Sequence, residues 1–238
     1  VMVIFDGYIP RPGGAVDLFG AACYTLQLYA DFSGCVDISI GTAEIFGIIL
    51  PENFRQPFFA PNASEFWRRW HISLTSWFRD YVYIPLGGNR VGTGRQVMNV
   101  LIVFLLSGLW HGANWTFLAW GFLHALFYLP GMLIRKKQIY PAVDIVRGVP
   151  HSLKIFLSIA ATFCLTTFAW IFFRSENLLS AINYTGIIFS TSLFSIPEIL
   201  PKKFLLLMAF FIFIEWQGRH DRYAIETAGL KWPVVVRW

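Results

Sequence analysis

"VMNVLIVFLLSGLWHGANWTFLAWGFLHALFYLPGMLI" (residues 97–134) is the stretch whose reading decides the fold. About 20 apolar residues suffice to cross a bilayer, so this run is too long for one crossing helix. It breaks at His111-Gly112-Ala113-Asn114, where an ionisable ring, a glycine and a turn-forming amide interrupt the hydrocarbon side chains. The run therefore reads as two membrane helices meeting at that break. An ionisable group at such depth is costly and faces a cavity or a polar partner, so His111 has to be explained.

Working outward, residues 15–50, 153–173 and 204–217 share this apolar character. The first stretch is long enough for one kinked crossing or two short ones. It is interrupted at Asp31-Phe32-Ser33-Gly34 and again at Asp37 and Gly41. The last is short and carries Glu215 near its end. Of the 238 residues, 56% are hydrophobic, 18% aromatic and only 14% charged, whereas soluble domains carry about 25% charged residues. These features predict an all-α, polytopic integral membrane bundle, one membrane domain over 1–238, with amphipathic helices at its interface. The chain starts at Val1 with no signal-peptide pattern, as expected of a C-terminal fragment of a longer membrane protein. Cys23, Cys35 and Cys164 have neither disulfide nor metal-ligand spacing and read as bland thiols, so no metal site is expected.

The net charge is +5. Its basic residues lie in blocks between the apolar spans, which is the pattern of cytoplasmic loops rather than of a nucleic-acid-binding surface. Residues 51–95 hold six arginines, and residues 134–154 hold Arg135, Lys136, Lys137, Arg147 and Lys154. Two crossings between 97 and 134 place both blocks on one side, predicted to be cytoplasmic, in a plasma or inner membrane.

The segment "NASEFWRRWHISLTSWFRDYVY" (62–83) is too charged to cross. Phe66, Trp70, Leu74, Trp77 and Tyr81 recur at helical spacing. Asn62 or Ser64 can cap the start. A basic, aromatic-rich amphipathic helix lying against lipid headgroups is expected. After it comes "YIPLGGNRVGTGR" (83–95). Exposed backbone N–H groups at its glycines, with Arg90, suit a phosphate. There is no P-loop ending, and such a loop is more often only a turn.

Five histidines are present. His151 and His220 lie in polar contexts and need no special role. His71 and His124 read equally well as structural or functional. His111 has the sharper case. Desolvation disfavours an imidazolium, so a neutral ring is expected, and a neutral ring can take a proton from a hydroxyl as general base. Asn114 would orient that ring or donate to a developing oxyanion. Asp31, Ser33 and Asp37 form a second polar intrusion, read either as a seam between packed helices or as the wall of a hydrophilic channel.

Four ordered blocks, "YADFSGCVDISIG" (29–41), "PENFRQPFFA" (51–60), "EFWRRWHISLTSWFRDYVYIPLGGNR" (65–90) and "SGLWHGANWTFLAWGFLHA" (107–125), closely resemble the membrane-bound O-acyltransferase (MBOAT) family, in its alginate O-acetyltransferase-like branch. The resemblance is strong over 24–130. It implies a central funnel reaching an essential histidine, His111, and a second catalytic histidine of the family, His71, with His71 or Asn114 positioning the donor or stabilising the oxyanion. It also implies further N-terminal helices that this chain lacks. From their own contexts, Asn114, Asp31, Ser33 and Arg90 are candidates for substrate binding. No cofactor is expected to stay bound. The acyl donor would be a thioester, acetyl-CoA or an acyl carrier protein. The expected partners are membrane lipid and an extracytoplasmic protein that passes the acetyl group onward, with no nucleic acid. The acceptor would be a hydroxyl of an exported polysaccharide or of that partner, and D-alanyl transfer to teichoic acid is the alternative.

Other classes stay open at this point. A proton-coupled transporter would string Asp31, Asp37, His111 and His124 along a path, although no inverted repeat is visible. A haem protein would ligate through His111 and His124. A scaffold subunit would leave catalysis to a partner.

Overall fold

The computed structural model describes residues 13–135, 153–194 and 202–219. Among the described residues there are eight α-helices and no strand. They are α1 (Gly14–Ile45), α2 (Ala63–Arg69), α3 (Ile72–Phe78), α4 (Thr93–His111), α5 (Trp115–Arg135), α6 (Leu153–Arg174), α7 (Leu178–Ile188) and α8 (Lys202–Gln217). Helices α4, α5 and α6 are long and apolar enough to cross a membrane. Their outer faces carry exposed Leu106, Leu109, Phe122, Leu126, Phe156 and Leu157. In water such a surface would aggregate, but in lipid it is at rest. His151 and His220 lie outside the described residues, as does most of the 134–154 loop.

Helices α4 and α5 form a tight antiparallel hairpin. In lipid the hydrophobic effect does not press helices together, so association depends on close packing through small residues. Gly108 lies against the backbone carbonyl of Phe117, and Gly121 against that of Phe104. A Cβ on either glycine would overlap that carbonyl. Each helix thus offers one bare surface to the other's backbone.

Helix α1 runs unbroken through both of its expected interruptions. The hydroxyls there turn back onto their own helix: Ser39 Oγ donates to Cys35 O at 2.8 Å and Thr42 Oγ1 to Ile38 O at 2.7 Å. These hydroxyls bond within the helix, and its ladder continues past the acidic residues. One face of α1 packs on α6, where Thr25 Oγ1 meets Thr167 Oγ1 at 3.2 Å. It also receives α8, where Tyr29 donates to Glu215 Oε2 at 2.8 Å. Helix α7, which the sequence reading did not foresee, is capped by Asn177, whose Oδ1 accepts from Ser180 N at 2.9 Å. Its Ile188 and Tyr184 pack with Ala21 of α1 and Ile171 of α6.

The expected single helix over 62–83 is instead two short helices and a turn. Asn62 does cap its start, accepting from Glu65 N at 2.9 Å. The helix then stops at Trp70, because His71 adopts left-handed backbone, φ 44° and ψ 55°. A further turn of π-helix, Arg79–Tyr83, ends the segment. The aromatic stripe divides accordingly. Phe66, Trp67 and Trp70 enter the main core with Phe104, Trp120 and Trp170, while Trp77 and Tyr81 stay exposed.

Candidate active site

His111 is the last residue of α4. Gly112 follows at φ 155° and ψ 157°, a conformation that L side chains rarely adopt, and it ends the helix there. Asn114 then restarts the chain: its Oδ1 accepts from Thr116 N at 3.1 Å, and its backbone carbonyl from Phe117 N at 3.1 Å. Its Nδ2 donates to Glu176 O at 2.9 Å, tying the hairpin tip to the turn between α6 and α7. The amide of Asn114 thus positions the break and bonds to neither histidine.

Four rings surround the His111 imidazole: Trp110 at 4.9 Å between centroids, Phe173 at 5.0 Å, Trp120 at 5.1 Å and Phe117 at 6.3 Å. The ring is half-buried. No hydrogen bond holds either ring nitrogen among the described residues, so both remain available to a substrate.

His71 reaches the same place from the other side of the sequence. Its ring centroid lies 6.3 Å from that of Trp110 and 4.9 Å from that of Phe32 on α1. One indole therefore packs against both imidazoles. Trp110 is 59% exposed, so among the described residues this cluster is open on one side. The position of His71 comes from pairing of the 53–55 strip with the α2–α3 junction. Arg55 N donates to Arg69 O at 3.0 Å, and Ile72 N to Asn53 O at 2.9 Å. Asn53 Oδ1 meets His71 Nδ1 at 3.3 Å. Burial pushes the His71 imidazole below its ordinary pKa, so the ring is neutral near pH 7.

The remaining sequence candidates lie on other features. Asp31 is exposed on α1 and is paired loosely with Gln27 Nε2 at 3.4 Å. Ser33 is half-buried, its Oγ at 3.5 Å from Ala30 O. It is Phe32, between them, that reaches His71. Arg90 is exposed at the end of the 3₁₀ turn Gly88–Arg90. That turn is held from α4: Gln96 Nε2 donates to Asn89 O and Val91 O, each at 2.8 Å, and Asn99 Nδ2 donates to Leu86 O at 3.1 Å. Of the six arginines in 51–95, Arg55, Arg68 and Arg79 are matched by Glu52, Glu65 and Asp80.

His124 is fully buried among Phe66, Trp67, Phe104, Trp120, Phe127 and Trp170. Trp120 separates it from His111, and no substrate or haem iron can approach a ring so enclosed. The transporter path fares no better, since Asp31 and Asp37 are exposed on α1 while His124 is sealed. Asn53, Trp110, Phe32 and Phe173 are the site residues that sequence reasoning missed. All four lie in family-like stretches, Phe32 in 29–41, Asn53 in 51–60, Trp110 in 107–125 and Phe173 in "FAWIFFR" (168–174), but none was singled out from its block.

Residues 18–142 match the family described as MBOAT, membrane-bound O-acyltransferase family. A probable alginate O-acetylase of Pseudomonas fluorescens is 42% identical over 182 residues, covering 76% of this chain and 34% of that protein. A peptidoglycan O-acetyltransferase of Helicobacter pylori is 42% identical over 167 residues, 67% of this chain and 29% of that protein. A teichoic acid D-alanyltransferase of Bacillus subtilis is 36% identical over 110 residues, 43% and 28% of the two chains. The chain spans about a third of the length of the curated relatives it matches.

Proposed function

The chain belongs to the membrane-bound O-acyltransferase family, and we propose that it supplies catalytic residues of a membrane enzyme that carries an acyl group, acetyl foremost, from a cytoplasmic thioester to a hydroxyl. The observation that carries this reading is the meeting of His111 and His71 on Trp110, at a break between two apolar helices.

His111 is the general base. Its neutral ring takes the proton of the acceptor hydroxyl as the oxygen attacks the thioester carbonyl. The C–O bond forms, the tetrahedral intermediate collapses, and the C–S bond breaks. The imidazolium then returns its proton to the departing thiolate. A base placed in this way contributes about 10²–10⁴-fold.

The donor, acetyl-CoA or an acyl carrier protein, approaches from the side of loops 51–95 and 134–154, assigned to the cytoplasm by their arginines and lysines. The membrane is the plasma or inner membrane. The acceptor is a hydroxyl of an exported polysaccharide, or of a partner protein that hands the acetyl group on outside the cell. Relatives named for alginate and peptidoglycan O-acetylation support that class. The D-alanyltransferase relative supports a second reading, D-alanyl transfer, over a smaller share of the chain. The test is acetyl transfer in membranes by the full-length protein and by His111→Ala at matched expression. A loss of about a hundredfold or more is expected. Undiminished turnover would remove His111 from the chemistry.

A further inference from the structure

We propose that Asn53 is a positioning residue that locks His71 in the tautomer protonated at Nδ1, so that His71 Nε2 meets substrate as a hydrogen-bond acceptor. The inference rests on the acyl-transfer reading and assigns a role within it.

The argument begins at Ser73. Its backbone N–H can only donate, and it does so to Asn53 Oδ1 at 3.0 Å. The Ser73 hydroxyl donates to the same oxygen at 2.6 Å. The atom facing Ser73 is therefore the amide oxygen and not the nitrogen. His71 Nδ1 lies 3.3 Å from that oxygen, which has no proton to give. The histidine must supply the hydrogen, and a neutral imidazole with Nδ1–H keeps its lone pair on Nε2. The left-handed backbone at His71 and the bond from Ile72 N to Asn53 O fix the two residues to one another. Burial favours the neutral ring. Nε2 has no partner among the described residues, and the ring is half-buried beside Trp110.

This tautomer excludes one role and assigns another. A lone pair repels a developing oxyanion, so neutral His71 does not stabilise the tetrahedral intermediate. It accepts a hydrogen from substrate instead: an amide N–H of the thioester arm, or a hydroxyl of the acceptor.

From the elements packed on His71, α1 presents Phe32 and the 51–56 strip presents Phe54 and Asn53; the titratable neighbour is His111 at the end of α4. Asn53→Asp keeps the acceptor but places a carboxylate on Nδ1–H, which favours the imidazolium. In the full-length enzyme its acid limb of activity should move up by about one pH unit or more, with turnover recovered at alkaline pH. Asn53→Leu should lose roughly ten- to a hundredfold at every pH, without that shift. A raised KM for the thioester identifies its N–H as the hydrogen donor, and a raised KM for the acceptor identifies the hydroxyl. Equal losses in both variants with unmoved pH limbs would overturn the proposal. So would ¹⁵N spectra of the wild-type protein in membranes, assigned through His71→Gln, in which Nε2 rather than Nδ1 carries the proton. If His111→Ala retained turnover while Asn53→Asp still shifted the limb, only the role of His111 would fall.

Discussion

Gly108→Ala tests the hairpin that carries His111. The added methyl would overlap the carbonyl of Phe117, which is backbone on a neighbouring helix and cannot swing aside as a side chain would. The crossing has to open, and overpacking of this kind costs about 1–3 kcal/mol. Alanine also gains about 0.5–1 kcal/mol over glycine in a helix interior, which would mask part of that cost. Gly131→Ala, in α5, serves as the control, because a Cβ there meets nothing within 4 Å. The propensity gain is common to both variants, so their difference isolates the clash, about 1–3 kcal/mol or roughly 5- to 150-fold in the folding equilibrium. Gly121→Ala meets the carbonyl of Phe104 in the same crossing, so the double variant should cost less than the sum of the singles. The assay is unfolding of the purified protein in mixed micelles, with both alanine variants measured side by side. Equal stability of Gly108→Ala and Gly131→Ala would refute the packing argument.

Asn114→Ala should destabilise the protein by about 0.5–2 kcal/mol through the lost α5 cap. Asn114→Ser should restore most of that cap; thermal unfolding of the two variants checks it. The stability of the protein should also depend on pH through His71. Its folded pKa lies below its ordinary value of about 6.5, so the unfolded chain binds more protons in the window between the two. Stability from this group is fully present above about pH 6.5 and declines as pH falls toward the folded pKa. His71→Gln should flatten that part of the unfolding-versus-pH curve, and an unchanged slope would count against the buried, neutral ring.

The hairpin was legible because its signals are local. Gly112 and Asn114 are neighbours in sequence, and each acts on the turn in which it stands. The amphipathic stripe over 62–83 had the right period, yet its interruption at His71 depends on Asn53, which is remote in sequence. No periodicity registers such a bond. Helix α1 misled in the opposite direction. Its serine, glycine and aspartate residues look like breaks when counted by composition, but Ser39 and Thr42 bond carbonyls one turn back and the backbone ladder runs on. The two histidines were recognised singly by their apolar or motif context. Their meeting on Trp110 is a property of tertiary packing and was beyond reach until α1, the 51–56 strip and α4 were assembled.

The unbroken 32 residues of α1 have a geometric consequence. At 1.5 Å per residue the rod is about 48 Å long, against a hydrocarbon layer about 30 Å deep. Leaning it over far enough to submerge it would take roughly 50°, beyond the 0–40° at which membrane helices are found to tilt. A rod of this length crossing at 0–40° leaves about 9–18 Å of itself clear of the lipid tails. The N-terminal half is the better packed end, with Asp17, Ala21 and Thr25 buried, and the far end bears the exposed carboxylates of Asp37 and Glu44. That far end also bears exposed Ile38, Ile45 and Phe46, so acids and apolar side chains stand together there, a mixture that suits the headgroup zone between oil and water.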